Sequence, residues 1–395
     1  MALKMQNNCF NHIIKHLKFI LKIKVFNLFI FILLLSSCTN KNKGVKTKYI
    51  ITKIDSIIIN KPTLRFQEIR KKNILFLNQI NSEIVIYNLG SKSISSFNKL
   101  GGSDKEYNAI YPGSLNFIND SIIGIGQRDK IKTYSLKGDY RGDIKMGNIN
   151  SHAQLQKFHL FKDSILIAQK PFQGNFYEKS FYNKKRKIFL LKNLKTKKIK
   201  SVVDFPLKNE DFNNDEYHYL HPISFPFTIE DNTYIFANVN GKNIHYFNID
   251  SLKITKIIPL SMPFYKPLKL KYGINIEPNK QILDLYINSD IWSIFKNHNK
   301  TYILYNKPYS VEFLKKYKKE HPGFPFNETP RIQYYLHIID NFKKKTNIKV
   351  PNKIGYPIYV DNNDYLYIEK FPSEDEDFKG LTIIYKCKVI KNDKI

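Results

Sequence analysis

The sequence predicts an all-β fold, a six-bladed β-propeller, on three observations. After residue 48 the chain consists of short apolar or alternating runs rich in Ile, Tyr and Phe, split by Asn, Asp, Gly and Lys. That is the chemistry of strands and turns. A turn followed by a strand then recurs: NDSIIGIG at 119, KDSILIAQ at 162, EDNTYIFA at 230, HNKTYILY at 298 and NNDYLYIE at 362, with a weaker first copy, KKNILFLN, at 71. A short apolar run precedes each copy and further strands follow, so each unit holds four strands. Six such units are the pattern of a propeller. Finally, the sixth unit reaches the end of the chain after three strands, while residues 49–59, YIITKIDSIII, form a strand-like run with no unit of their own. This run is expected to supply the missing outer strand of the last blade and close the ring, which removes an exposed sheet edge.

Taken in order, residues 1–37 read as a leader. Lys4, Lys15, Lys18, Lys22 and Lys24 are its only charges, and Met5 is an alternative start. The apolar core, VFNLFIFILLL at 25–35, is too short for a membrane-spanning helix, which needs about 20 residues. A basic head, a short apolar core and small residues behind it mark a secretory signal. The core ends at Leu35-Ser36-Ser37-Cys38, which resembles the bacterial lipobox. That resemblance implies cleavage before Cys38 and acylation of its thiol, giving the two or three acyl chains that stable anchoring needs. Residues 38–48 are polar and basic, a flexible tether. Residues 49–395 are the propeller.

Within it, the strand after each turn-strand copy can be aligned on Tyr87, Tyr134, Leu191, Phe247, Ile338 and Tyr385. The long step is the one from Phe247 to Ile338. It contains the single helical pattern, SVEFLKKYKKEHPG at 310–323, and residues 261–289, which leave room for a seventh unit.

Composition narrows the partners. The formal charge is +30, of which the leader lysines account for five, leaving +25 on the mature chain. Basic residues are spread along the chain except at 183–187 and 194–200. Spread lysines on an exported chain point away from nucleic acid and allow loose contact with anionic lipid. Of the three cysteines, Cys9 leaves with the leader and Cys38 carries lipid. Cys387 therefore has no partner for a disulfide or a cysteine metal site.

With lipobox and repeats in hand, the chain resembles the six-bladed propeller lipoproteins of the Bacteroidetes, TolB-like or NHL-like in fold. The residues that carry the resemblance are KLGGSDKEYNAIYPGSLNFINDSIIGI at 99–125. They contain Gly101-Gly102-Ser103-Asp104-Lys105-Glu106-Tyr107, a variant of a Gly-x-Gly-x-x-Glu-aromatic turn, followed by a strand and an Asn-Asp turn. The likeness implies fold and carries no catalytic assignment. No acidic patch follows Cys38, which favours the periplasmic face of the outer membrane over the cell surface.

Candidate chemistry is sparse. His218 and His221 have metal-ligand spacing beside Asp215 and Glu216 but no third distant ligand and no HExxH, so no metal is expected. Glu374, Asp375, Glu376 and Asp377 read as a solvated acidic loop rather than a calcium site. Gly124-x-Gly126 lacks a third glycine and a following helix. It reads as a strand passing close to a neighbour rather than a phosphate cradle. No Gly-x-Ser-x-Gly elbow is present, and no cofactor is expected. Aromatic residues are the richest surface resource. Tyr217, Tyr219, Phe225, Tyr309, Phe324 and Phe326 are the candidate binding rim. The expected function is a lipid-anchored envelope module that binds or scaffolds protein, peptide or glycan. The alternative is a hydrolase or lyase with its site at the propeller mouth, which requires polar groups converging there with a perturbed pKa. A purely structural ring would instead have a channel plugged by apolar side chains.

Overall fold

The computed structural model describes residues 48–392 except 111–112, 128, 147–157, 163, 168–185, 206–215, 219–225, 239–240, 267–268, 272–285, 325–329, 342–343 and 371–379. It begins with β1 (Lys48–Ile59). Blade 1 is β2 (Leu64–Arg70), β3 (Asn73–Asn78), β4 (Glu83–Asn88) and β5 (Ile94–Phe97). Blade 2 is β6 (Leu115–Phe117), β7 (Ile122–Gly126), β8 (Lys130–Ser135) and β9 (Tyr140–Lys145). Blade 3 is β10 (Phe158–Phe161), β11 (Ser164–Ile167), β12 (Arg186–Asn193) and β13 (Ile199–Phe205), followed by a short β14 (Glu216–His218). Blade 4 is β15 (Phe227–Glu230), β16 (Thr233–Phe236), β17 (Asn243–Asn248) and β18 (Lys253–Pro259), followed by a short β19 (Lys269–Lys271). Blade 5 is β20 (Ile291–Asn297), β21 (Lys300–Lys307), β22 (Gln333–Asp340) and β23 (Lys344–Lys349), with α1 (Val311–Glu320) between β21 and β22. Blade 6 is β24 (Tyr356–Val360), β25 (Tyr365–Glu369) and β26 (Thr382–Asn392).

The six aligned positions of the repeat all fall on the third strand of a blade: Tyr87 on β4, Tyr134 on β8, Leu191 on β12, Phe247 on β17, Ile338 on β22 and Tyr385 on β26. Each of blades 1 to 5 is a four-stranded sheet in sequence order, and the sixth has the order β1-β26-β25-β24. The ring is thus closed by the N-terminal strand, as the sequence predicts. Thr382 Oγ1, at the start of β26, donates to the Lys61 carbonyl just past the end of β1 (2.8 Å). Ile51, near the start of β1, is buried with Cys387. β1 therefore runs opposite to β26, and β2 starts at the end of the ring where β26 starts. Residues 261–289 contribute β19, which pairs with β14 in a separate two-stranded sheet. No seventh blade occurs among the described residues.

The core is divided among the seams between blades. Blades 6 and 1 meet through Ile59, Leu64, Ile74, Phe76, Ile358 and Ile384. Blades 5 and 6 meet through Leu304, Leu336, Val350, Leu366 and Cys387. Blades 4 and 5 use Ile235, Ile244, Ile294 and Ile303, and blades 1 and 2 use Leu75, Ile86, Leu115 and Ile123. Phe189 meets Tyr234 and Phe236 edge-on between blades 3 and 4, at 5.1 and 5.0 Å. This is how a wedge-shaped sheet that is apolar on both flanks buries itself.

Local chemistry explains the repeat. Asn88, Asn193 and Asn248 end the third strand of their blades. Their side-chain oxygens accept from the backbone N–H of Ser91, Thr196 and Ser251 at 3.0, 2.7 and 2.8 Å, closing the turn to the fourth strand. The 101–107 motif is a structural clasp. The Glu106 carboxylate accepts from the Ser103 N–H (2.9 Å), and Tyr107, fully buried, donates its hydroxyl to the Ser82 carbonyl (2.9 Å). A Cβ on Gly101 would stand 2.2 Å from the Glu106 carboxylate, so a larger residue there would push that side chain away from the Ser103 N–H. Gly124 is likewise a close approach: a Cβ would meet Ile118, Phe158 and Ile131 within 3 Å.

The two ends of the ring are unlike. At one end, first-to-second and third-to-fourth strand turns are at most five residues long. At the other lie the long connections, among them residues 206–226, 260–290 and 308–332. The innermost strands β2, β6, β10, β15, β20 and β24 all start at this long-loop end. Among the described residues no helix is long and apolar enough to cross a membrane.

Candidate functional site

The innermost strands of all six blades line one central cavity of about 730 Å³. It lies within the range of small-ligand pockets. An innermost strand has a free edge, and its amides need partners. Blade 1 provides them for blade 2. The Gln67 side-chain oxygen accepts from the Gly113 N–H (3.0 Å), and the Glu68 carboxylate accepts from the Phe117 N–H (2.7 Å). Arg70 donates to the Phe117 and Ile118 carbonyls (3.3 Å each) and reaches Asp120. Across the ring Lys296, its side chain 5% exposed, pairs with Glu230 at 3.1 Å. The wall is thus polar and largely satisfied by the protein itself. It is not the apolar plug of a purely structural ring.

The long-loop mouth differs. Arg65, Trp292 and Tyr356 stand at or next to the first residue of β2, β20 and β24 and line the cavity together. Trp292 is the only tryptophan of the chain. It remains 47% exposed, forgoing on the order of 1 kcal/mol of burial. Its orientation is nevertheless set. The indole N–H donates to the Asn306 side-chain oxygen (3.2 Å), and Asn306, buried, donates to the Asn288 carbonyl (3.1 Å). The ring also meets Tyr334 edge-on at 5.6 Å. A large aromatic surface is held rigid and left bare.

Two carboxyls stand behind this layer. Asp290, one residue before β20, has its pKa pushed up to about 6 by burial. Burial also raises the Glu369 pKa, although the Tyr356 hydroxyl donates to it (2.8 Å) and the Arg65 charge favours its ionised form. Burial, with Glu369 beside it, pushes the Tyr356 phenol well above its usual range. The Tyr334 phenol is pushed up to about 12, chiefly by burial. Neither Asp290 nor Glu369 lines the cavity itself.

Of the expected rim residues, Tyr309 and Phe324 belong to the blade 5 insertion. Tyr309 stacks on Phe313 (4.9 Å) and donates its hydroxyl to the Arg331 carbonyl. Phe324 is only 3% exposed and packs against Tyr286 and Tyr317, inside the insertion rather than on its surface. Phe313, 42% exposed, is the ring that α1 presents to solvent. Tyr217 lies on β14, paired with Leu270 of β19. Tyr219, Phe225, Phe326, His221 and the acidic run at 374–377 lie outside the described residues, as do residues 1–47 with Cys38. Among the described residues no cluster of metal-ligating side chains forms. Sequence reasoning passed over Arg65 and Trp292. The one available signal was a lone tryptophan at the second position of an innermost strand.

No protein-family model matches the chain, and no curated protein matches it. Solved structures do. A member of the DUF4221 family from Bacteroides vulgatus is similar at a TM-score of 0.64 and 14% identity, over 88% of this chain and 100% of that one. A candidate exported protein from Bacteroides fragilis is similar at a TM-score of 0.50 and 11% identity, over 89% and 98% of the two chains. At these identities the likeness establishes the fold, a six-bladed propeller that Bacteroides proteins also adopt.

Proposed function

We propose that this protein is a lipid-anchored binding module of the cell envelope that takes its ligand at the long-loop mouth of the channel. The observation that carries the reading is Trp292, pinned by Asn306 yet bare to a polar cavity. A rigid, exposed aromatic loses little entropy when a ligand covers it, which suits recognition. The lipobox reading of Cys38 supports anchoring. β1 begins at the short-turn end of the ring, opposite the mouth.

The single tryptophan makes the test direct. Fractionated envelope extract is titrated into the protein while Trp292 fluorescence is followed. A saturable change with one fraction is expected; a protein that no fraction perturbs is not a binding module of this kind. For the anchor, Cys38→Ser is expected to move the protein from the membrane fraction to the soluble one. Its staying with the membrane would remove the lipid.

One observation favours the alternative, a hydrolase or lyase: Asp290, with its pKa near 6, sits close to the mouth. That reading requires turnover of an extract component, lost in Asp290→Asn while the fold persists.

A further inference from the structure

The cavity wall contains more than the edge-capping groups, and its remaining groups indicate the ligand chemistry. Glu68, Arg70 and Lys296 are occupied with the protein's own amides, carbonyls and carboxylates. Arg65 is exposed, and among the described residues its guanidinium makes no hydrogen bond or ion pair. Asp231, also of the wall and without an ion pair among the described residues, lies in the turn between β15 and β16, at the opposite end of the channel. The long-loop mouth therefore presents an exposed cation whose charge is felt by Glu369 and Tyr356 but which no hydrogen bond holds among the described residues, and a chain of this net charge draws anions toward it. Thr228 and Ser293, half-buried in the same wall, have hydroxyls without a partner among the described residues. The mouth thus combines one flat aromatic face, one exposed guanidinium and hydroxyls without a partner among the described residues.

A peptide finds one route barred at blade 2. Strand addition needs a free sheet edge, and the blade 2 edge amides at Gly113 and Phe117 are already capped. A sugar ring has what the mouth complements: a C–H face for an indole and a rim of hydroxyls. A carboxylate on that ring is the natural partner of a guanidinium, which binds it in a fork.

We propose that the long-loop mouth binds a carboxylate-bearing saccharide, its ring laid on Trp292 and its carboxylate paired with Arg65. This rests on the reading of the mouth as a binding site and names the ligand class. Thr228 and Ser293 take the hydroxyls, and the cavity has room for a short oligomer.

The experiment uses the mature chain with tetrasaccharides of galacturonate and of hyaluronan, neutral cellotetraose and a tetra-aspartate peptide. Binding is read by Trp292 fluorescence and by calorimetry, with thermal melts to confirm that variants fold. At least one acidic saccharide is expected to bind about tenfold or more tighter than cellotetraose and than the peptide, and to weaken as salt rises. Arg65→Gln removes that preference, Arg65→Lys restores part of it, and Trp292→Ala abolishes binding in the calorimeter. Equal binding of the neutral sugar, equal or tighter binding of the peptide, an Arg65→Gln variant that binds like the parent, or no binding by either acidic saccharide overturns the assignment. If no saccharide binds while an envelope fraction still shifts Trp292 fluorescence, the ligand class is wrong and the binding module stands. If neither does, both readings fall.

Discussion

The two ends of the ring are built to different rules. At the short-turn end the charged side chains hold one blade to the next. Asp364 of blade 6 accepts from Asn297 (2.6 Å), from the Tyr302 hydroxyl (2.7 Å) and from Lys300, all of blade 5. At the long-loop end ion pairs also form, Lys61 with Glu83 (2.7 Å) and Lys130 with Asp143 (2.8 Å), but beside the channel mouth the Asp290 and Glu369 carboxyls are buried behind an aromatic layer. Asp290 illustrates the contrast. Burial works to raise the pKa of both aspartates. Three donors outweigh it at Asp364 and hold that carboxyl below the usual range, whereas among the described residues no side chain donates to the Asp290 carboxyl, which burial pushes up to about 6. The Asp364 cluster uses its charge for cohesion, and the channel mouth retains an electrostatic cost at Asp290. Sites of recognition and chemistry commonly keep such a cost.

Four substitutions break or sharpen this contrast. The largest effect tests whether the long-loop end is merely loose. Gly355, just before β24, has a φ of +116°, and a Cβ there would stand 1.8 Å from the Glu369 carbonyl oxygen. Gly355→Ala is expected to cost more than about 3 kcal/mol, read as a lowered denaturation midpoint. A cost below 1 kcal/mol would mean that the backbone under the mouth can relax. Asp364→Ala comes next, at about 3 kcal/mol, because it leaves the Tyr302 hydroxyl and the Asn297 amide without their acceptor. Since its folded pKa is depressed, the Asp364 contribution is present above the unfolded value and is lost as pH falls through the folded one. Ligand binding at the far end should not change.

Asp290→Asn should act in the opposite sense. The folded pKa is raised, so the unfavourable contribution is absent below the unfolded value, near 4, and complete above about 6. The full shift corresponds to about 3 kcal/mol, and partial solvent contact reduces this to about 1 kcal/mol. The variant is therefore expected to be more stable than the parent at pH 7 and equal to it at pH 4. Unfolding curves at the two pH values check this, and a gain that persists at pH 4 would exclude titration as its cause. The smallest effect is at Leu252, in the turn from β17 to β18, which adopts a φ of +55°. Leu252→Gly should stabilise by about 0.5 kcal/mol if it relieves left-handed strain. No gain would mean that the turn is already paid for by Asn248.

Much of the architecture could be read directly from the residues, for local reasons. The Asn that ends a third strand bonds to backbone two or three residues on, so the turn is written in neighbouring residues. The Gly101–Tyr107 clasp and the Ser310 cap of α1 are equally local: the Ser310 hydroxyl accepts from the Phe313 N–H (3.1 Å). The orphan strand at 49–59 could be matched to the three-stranded last unit because both halves of the deficit were visible. The site was less legible. Aromatic richness pointed to the blade 5 insertion, yet an exposed Tyr and a buried Phe have the same local pattern. Phe324 is buried because Tyr286 and Tyr317 close around it.

By itself the sequence determined the strand repeat, the number of blades, the closing strand and the basic character of the chain, since each follows from spacing, from nearest neighbours or from composition. The tertiary structure alone decided which residues meet at the channel. Arg65 and Trp292 are separated by most of the chain, and only the closing of the circle brings the first residues of β2, β20 and β24 around one cavity. The same closure decides that Glu68 and Arg70 are occupied with blade 2 while Arg65 stays exposed at the mouth beside Glu369 and Tyr356 of blade 6. Whether a charge is spent or available depends on groups that arrive from another blade, and no window of sequence contains both.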